Sequence, residues 1–211
     1  MTPVTLMVLA KAPAAGRVKT RLCPPCSQAE AAELARAALA DTLDAVAGTP
    51  VARRVLVLEG RPGSWLRSGF EVVPQRGDGL ARRLAAAFED VGGPALLLGM
   101  DTPQVTPSLL AAAADDLLSD GTDAVLGPAD DGGWWALGLR RADPRAFDGV
   151  PMSQPHTGRE QLARLRGLGL GVRVLPRQRD VDDFDDALAV AAAAPGSRFA
   201  AVVGRVTQPS V

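Results

Sequence analysis

Residues 11–22 read Lys-Ala-Pro-Ala-Ala-Gly-Arg-Val-Lys-Thr-Arg-Leu, a stretch with four cations and no acid. Unopposed positive charge at Lys11, Arg17, Lys19 and Arg21 is what an anion site requires. The chain has 23 basic residues, yet its only two lysines, Lys11 and Lys19, both fall here. Lysine brings a compact point charge with rotatable donors and arginine a planar fork, and phosphate sites use both. A helix terminus adds only ~0.3–1 kcal/mol per anionic group, whereas one close ion pair at intermediate dielectric is worth about 4 kcal/mol before desolvation. Several discrete cations therefore suit a polyphosphate, held by Lys11, Gly16, Arg17, Lys19, Thr20 and Arg21. Lys19 is also a candidate catalytic group, stabilising charge on a departing phosphate. The alternative is a solvated basic loop. Gly16-Arg-Val-Lys19-Thr20 resembles the end of a P-loop but lacks the earlier glycine and the Gly-Lys pair, and no Gly-x-Gly-x-x-Gly turn occurs.

Three acidic segments complement the loop. Gly99-Met-Asp-Thr-Pro103 puts Asp101 in a proline-fixed turn, and Asp180-Val-Asp-Asp-Phe-Asp-Asp186 places five acids in seven residues. Magnesium prefers one or two carboxylates with phosphate oxygens and water, so Asp101 with Asp180 or Asp182 is the expected Mg2+ (or Mn2+) site. Helix-terminal charge is the competing reading for the later acids. Gly127-Pro-Ala-Asp-Asp-Gly-Gly-Trp-Trp135 holds two of the three tryptophans. Its glycines allow close backbone approach, Trp134 offers a stacking face, and Asp131 could serve as a base toward an acceptor hydroxyl. Asp131, Gly132, Gly133 and Trp134 are thus the expected acceptor side, against the alternative of a hairpin with core tryptophans. Gln75 and Asp78 open a helix where backbone could read a base or ribose, with Asp78 a plausible cap. His156, the only histidine, reads as structural or as a base. Cys23 and Cys26 precede a helix start, where thiol pKa falls; a redox or zinc role is poorly supported, since ligands are scarce and no strand directly precedes them.

These residues need a scaffold, and hydrophobic patterning supplies one. Residues 4–10 form an apolar run of strand length, covered on both faces. Ser27 and Glu30 make a capping box before a helix to residue 47, with Leu39, Leu43 and Val46 at helical spacing. Strands are expected at 54–58, 70–73, 95–98, 124–126, 134–139 and 172–175. Helices are expected at 80–91, after Thr106-Pro107, from a Thr157/Glu160 capping box to 168, and from 183 to 194. This alternation predicts an α/β fold: a three-layer α/β/α sandwich with a mostly parallel sheet. Ligands in such sheets bind beyond the carboxyl ends of the strands, where all the segments above lie. No linker divides residues 1–211, so one domain is expected.

Composition narrows the classes. With 47% hydrophobic and 22% charged residues, disordered and fibrous architectures are disfavoured. A net charge of −1 gives no general attraction to nucleic acid or anionic membrane. The opening apolar run is too short and wrongly flanked for a signal peptide, and no stretch approaches the ~20 apolar residues of a membrane span. A cytoplasmic protein is expected.

In order along the chain, Lys11-Ala-Pro, Gly16-x-Val-Lys-Thr-Arg-Leu22, Gln75-x-Gly-Asp78, Gly99-x-Asp-Thr-Pro103, Gly127-Pro-Ala-x-Asp-Gly-Gly133, Met152-Ser153 and Asp180-Val-Asp182 resemble a bacterial glycosyltransferase-like family. That family lies in the nucleotide-diphospho-sugar transferase (GT-A-like) superfamily, related to the phospholactate guanylyltransferases. The resemblance covers nearly the whole chain. It implies a nucleotide or nucleotide sugar held by the first loop, a divalent metal at Asp101, and a small-molecule acceptor. The chain departs from the pattern at Trp134, where an aromatic that is usually tyrosine follows Asp-Gly-Gly, and at a lone Asp-x-Pro without paired acids. The expected activity is glycosyl transfer. The alternatives are nucleotidylyl transfer from a nucleoside triphosphate to a phosphorylated small molecule, and a catalytically silent nucleotide-binding module.

Overall fold

The computed structural model describes residues 2–207. Along the chain run β1 (Thr2–Lys11), α1 (Gln28–Gly48), β2 (Val51–Glu59), β3 (Glu71–Pro74), α2 (Gly79–Val91), β4 (Ala95–Gly99), α3 (Pro107–Leu118), β5 (Ala124–Pro128), β6 (Trp134–Leu139), α4 (Thr157–Gly167), β7 (Val172–Val174), α5 (Phe184–Ala193) and α6 (Arg198–Val206). The seven strands form one sheet in the order β3-β2-β1-β4-β6-β5-β7. Only β6 runs antiparallel to its neighbours. No helix among the described residues is long and apolar enough to cross a membrane.

Period-two alternation divides the core. Leu6 and Val8 of β1 and Leu96 and Leu98 of β4 face Leu39, Leu43 and Leu110 of α1 and α3. Met7 and Leu97 point the other way, onto Leu84 and Phe88 of α2 and Leu165 of α4. A sheet buried on both faces is thereby built from continuous apolar runs, as parallel sheets require. The second flank of α1, with Leu34 and Ala38, packs against Val190 of α5 and Phe199, Val202 and Val203 of α6.

Local signals mostly act as their chemistry dictates. Ser27 and Glu30 form the reciprocal capping box of α1, and the Thr106 hydroxyl accepts from Leu109 N–H above a proline in the first turn of α3. Three details differ from the sequence reading. Thr157 does not cap α4: it lies within the first turn, where its hydroxyl donates to Pro151 O at 2.6 Å and accepts from Gln154 N–H. Asp78 sits at the α2 N-cap without a side-chain bond to the helix. Beyond the helix expected to end the chain lies α6, capped by Ser197, whose side chain accepts from Ala200 N–H.

Register sets the site. Leu9 of β1 pairs with Gly99 of β4, so the loops that begin at Lys11 and Met100 leave the sheet side by side. Leu98 pairs with Ala136 of antiparallel β6, which brings the start of that strand, Trp134, to the same edge.

Candidate functional site

At this edge lies a cleft of about 630 Å³ whose wall includes Lys11, Arg17, Lys19, Thr20, Arg21 and Asp101. Gly16 turns the loop at φ 72°, a left-handed value that favours glycine, and lies outside the cleft lining. Lys19, at φ 49°, is one of two non-glycine residues with positive φ among the described residues. Its ammonium donates to Asp101 Oδ2 at 2.8 Å and to the carbonyl of Val181, and lies 3.8 Å from Asp182 Oδ1. Burial opposes its charge, but Asp101, Asp182 and Asp180 outweigh that and raise its pKa. Lys19 is therefore a cation enclosed by protein oxygens, tying the β4 loop to the segment after β7. Arg21 reaches Asp182 Oδ2 at 3.0 Å, and Lys11 lies 3.7 Å from Glu59. Arg17 is exposed and makes no ion pair among the described residues.

The segment after β7 is stitched in place by backbone bonds. Gln178 N–H donates to Pro128 O, Asp130 N–H to Gln178 O, and Val181 N–H to Asp101 O at 3.0 Å. Asp180 is thereby fixed between two loops. Ligand oxygens of Asp131, Asp180 and Asp182 all lie within 4.8 Å of one another. Asp180 bears the cost of that crowding: burial, then the charges of Asp131, Asp101 and Asp182, push its pKa up to about 7. Asp101 stands outside this trio, neutralised by Lys19.

Of the expected acceptor residues, Asp131 is exposed and accepts from Gly133 N–H at 2.7 Å. Gly132, at φ 88°, and Gly133 turn the chain against α4, where Gly158 N–H donates to Gly132 O. A side chain on Gly158 would meet the Gly133 carbonyl, so this contact requires glycine. The two tryptophans separate in role. Trp134 is half-buried and lines the cleft, whereas Trp135 is 2% exposed and donates its indole N–H to Pro176 O.

Gln75 lines the cleft, but its side-chain N–H groups donate to Ala10 O at 2.8 Å and Val57 O at 3.3 Å, bracing the sheet edge. Asp78 is exposed and outside the lining, and His156 is exposed on the N-terminal side of α4. Cys26 is buried among apolar residues, and that burial, then Glu30, raises its thiol pKa, the opposite of nucleophile activation. Arg83 of α2, a lining residue the sequence reading did not single out, pairs with Glu59 at 2.5 Å. Its place one residue before buried Leu84 on an amphipathic helix made it legible as facing the sheet edge. Ser153, of the Met152-Ser153 motif, also lines the cleft and is held at φ 57°.

A mostly parallel sheet with cations and acids facing each other across its carboxyl edge defines a member of the nucleotide-diphospho-sugar transferase-like (GT-A-like) superfamily of transferases. A solved protein of Desulfovibrio desulfuricans G20, provisionally described as a nucleotide-diphospho-sugar transferase, matches with TM-score 0.85 and 26% identity over 97% of this chain and 95% of that one. The chain belongs to the bacterial family described as "Uncharacterized protein conserved in bacteria (DUF2064)", whose profile matches residues 29–154. Two more distant structures share the fold. CMP:2-keto-3-deoxy-manno-octonic acid synthetase complexed with CTP has TM-score 0.60 and 14% identity over 90% of this chain and 97% of its own. Rv0371c of Mycobacterium tuberculosis H37Rv, in complex with manganese, has TM-score 0.54 and 23% identity over 90% and 97%. No curated protein matches the chain.

Proposed function

We propose that the chain is a divalent-metal-dependent transferase that binds a nucleoside diphosphate sugar in the cleft and passes its sugar to a small acceptor. The observation that carries this is the meeting of the basic loop and the carboxylate trio at one sheet edge, joined by the Arg21–Asp182 pair. The donor set fits Mg2+ or Mn2+: three carboxylates converge, and burial together with the charges of Asp131, Asp101 and Asp182 raises the pKa of Asp180, a penalty that a divalent cation would relieve. Asp131, Asp180 and Asp182 would hold the ion, with Asp101 beside them. When bound, it supplies Lewis-acid neutralisation of charge on the departing nucleotide phosphate.

The chain's own residues do the rest. Lys11, Arg17 and Arg21 hold the phosphates, Arg17 being exposed and without an ion-pair partner among the described residues. Lys19 keeps Asp101 and the Val181 carbonyl together, so the two halves of the site do not drift apart by the ~1 Å that costs catalysis dearly. The face carrying Asp131 and Trp134 receives the acceptor. Thermal-shift screening of nucleoside diphosphate sugars with and without Mg2+ tests this: a cognate ligand at about 100 times its Kd adds ~2.7 kcal/mol of stability. No metal-dependent shift with any of them would refute it.

A second reading, nucleotidylyl transfer from a nucleoside triphosphate, draws on the number of cations in residues 11–21. Pyrophosphate released on mixing with triphosphate and acceptor belongs to that reaction alone. A silent nucleotide-binding module would bind without turnover.

A further inference from the structure

On its acid side the nucleotide cleft meets a smaller hollow of about 370 Å³, which holds the Asp131, Asp180 and Asp182 trio together with Arg21 and Arg179. Among the described residues, Arg21 and Asp182 alone border both spaces. Their 3.0 Å pair therefore stands at the boundary between the phosphate side and the metal side of the site.

Both oxygens of Asp182 already face a cation. Oδ2 accepts from Arg21, and Oδ1 lies 3.8 Å from the Lys19 ammonium. For Asp182 to serve as a metal ligand one of these cations must give way, and their surroundings decide which. Lys19 is 14% exposed and donates to Asp101 and the Val181 carbonyl, so pulling it out would strand buried charge. Arg21 is 74% exposed, and among the described residues its guanidinium bonds Asp182 alone. An exposed pair of this kind is weak and exchanges readily. Arg179, the other cation of the hollow, does not compete: its partners Asp130 and Asp186 lie outside the trio. A released Arg21 also has a destination. It lines the cleft with Lys11 and Arg17, and its planar fork suits phosphate oxygens as well as a carboxylate.

Resting on the transferase reading above, we infer that the Arg21–Asp182 pair is an exchangeable latch between the two ligands. Arg21 holds Asp182 until a nucleotide arrives, transfers to its phosphates, and so releases Asp182 for the divalent cation. Nucleotide and cation then strengthen each other's binding by the same factor, over and above any direct contact between them.

Titration calorimetry with Mn2+ on the full chain reads the latch through the sign of one effect. Arg21→Ala deletes a cation of the site, yet without nucleotide it should bind Mn2+ about threefold more tightly than the wild type, the scale of one exposed ion pair. Arg179→Ala removes the same charge from the same hollow without freeing a ligand of the trio, and should fall well short of that gain. The titrations are then repeated with UDP, GDP, CDP and ADP in turn, protein-free blanks accounting for Mn2+ taken up by the nucleotide itself. A nucleotide that binds should tighten Mn2+ in both proteins, by a factor about threefold larger in the wild type than in Arg21→Ala. Three results overturn the inference: Arg21→Ala binding Mn2+ no better than the wild type, Arg179→Ala matching its gain, or a coupling factor that is the same with and without Arg21. Mn2+ binding that shows none of the expected differences defeats the latch alone. A wild type that takes up Mn2+ neither by itself nor with any of the four nucleotides defeats the transferase reading.

Discussion

Replacing Asp180 with asparagine should change both the strength and the pH dependence of Mn2+ binding, in amounts set by the geometry. Its carboxyl titrates at about 7 because it is buried and faces Asp131, Asp101 and Asp182. A metal ligand must be ionised, so proton and metal compete for this group. From pH 8 to pH 6 the ionised fraction falls from about nine-tenths to about one-tenth, weakening apparent Mn2+ affinity about tenfold, ~1.4 kcal/mol. Above pH 8 affinity should level off. Titration calorimetry or Mn2+ electron paramagnetic resonance reads this directly. In Asp180→Asn, affinity should fall and the slope between pH 6 and 8 should vanish. The same shift acts on stability. The folded pKa lies above the unfolded value of about 3.9, so the metal-free protein loses stability as pH rises from about 4 through about 7. Added Mg2+ should therefore raise the melting temperature more at pH 8 than at pH 6. A wild-type affinity independent of pH, or a slope that survives in Asp180→Asn, would refute the reasoning.

Other outcomes follow from single contacts. Lys19→Met strands Asp101 and the Val181 carbonyl; because the side chain is 14% exposed, about 2–3 kcal/mol of destabilisation in urea is expected, below the ~3–5 of a fully buried pair. Gly158→Ala should cost ~1–3 kcal/mol and weaken Mn2+ binding, because the added methyl meets the Gly133 carbonyl and shifts the turn carrying Asp131. Phe199→Ala should cost ~3–5 kcal/mol by chemical denaturation, since its ring is buried where α6 covers α1. Trp135→Phe should lower stability by ~1–3 kcal/mol through the stranded Pro176 carbonyl and leave Mn2+ affinity unchanged.

Where a feature depends on neighbours in sequence, the residues announced it. Period two in β1 separates Leu6 and Val8 from Met7, and the Ser27/Glu30 pair caps α1 as its spacing requires. Lys19 and Asp101 share the sheet edge as their places after strands imply, but they pair with each other directly, where the sequence reading put one on phosphate and the other on a metal. Features that depend on competition among distant partners were not legible. Thr157 has the spacing of a cap, yet Pro151 O and Gln154 N–H claim its hydroxyl. Nor does any local pattern announce that the Gln75 amide is taken up by the Ala10 and Val57 carbonyls. The approach of Asp131 to Asp180 depends on backbone pairing between 128–130 and 178 that no local pattern encodes. The α6 helix had a readable signal, Ser197 followed by Phe199, Val202, Val203 and Val206 at helical spacing, hidden by the Pro195-Gly196 break before it.

The most direct test is anomalous scattering from Mn2+ in crystals grown with a nucleoside diphosphate. The expected map has manganese coordinated by Asp180 and Asp182, with phosphate oxygens bridging it to Arg17 and Arg21. Manganese away from these carboxylates, or phosphates bound far from the 11–21 loop, would contradict the account.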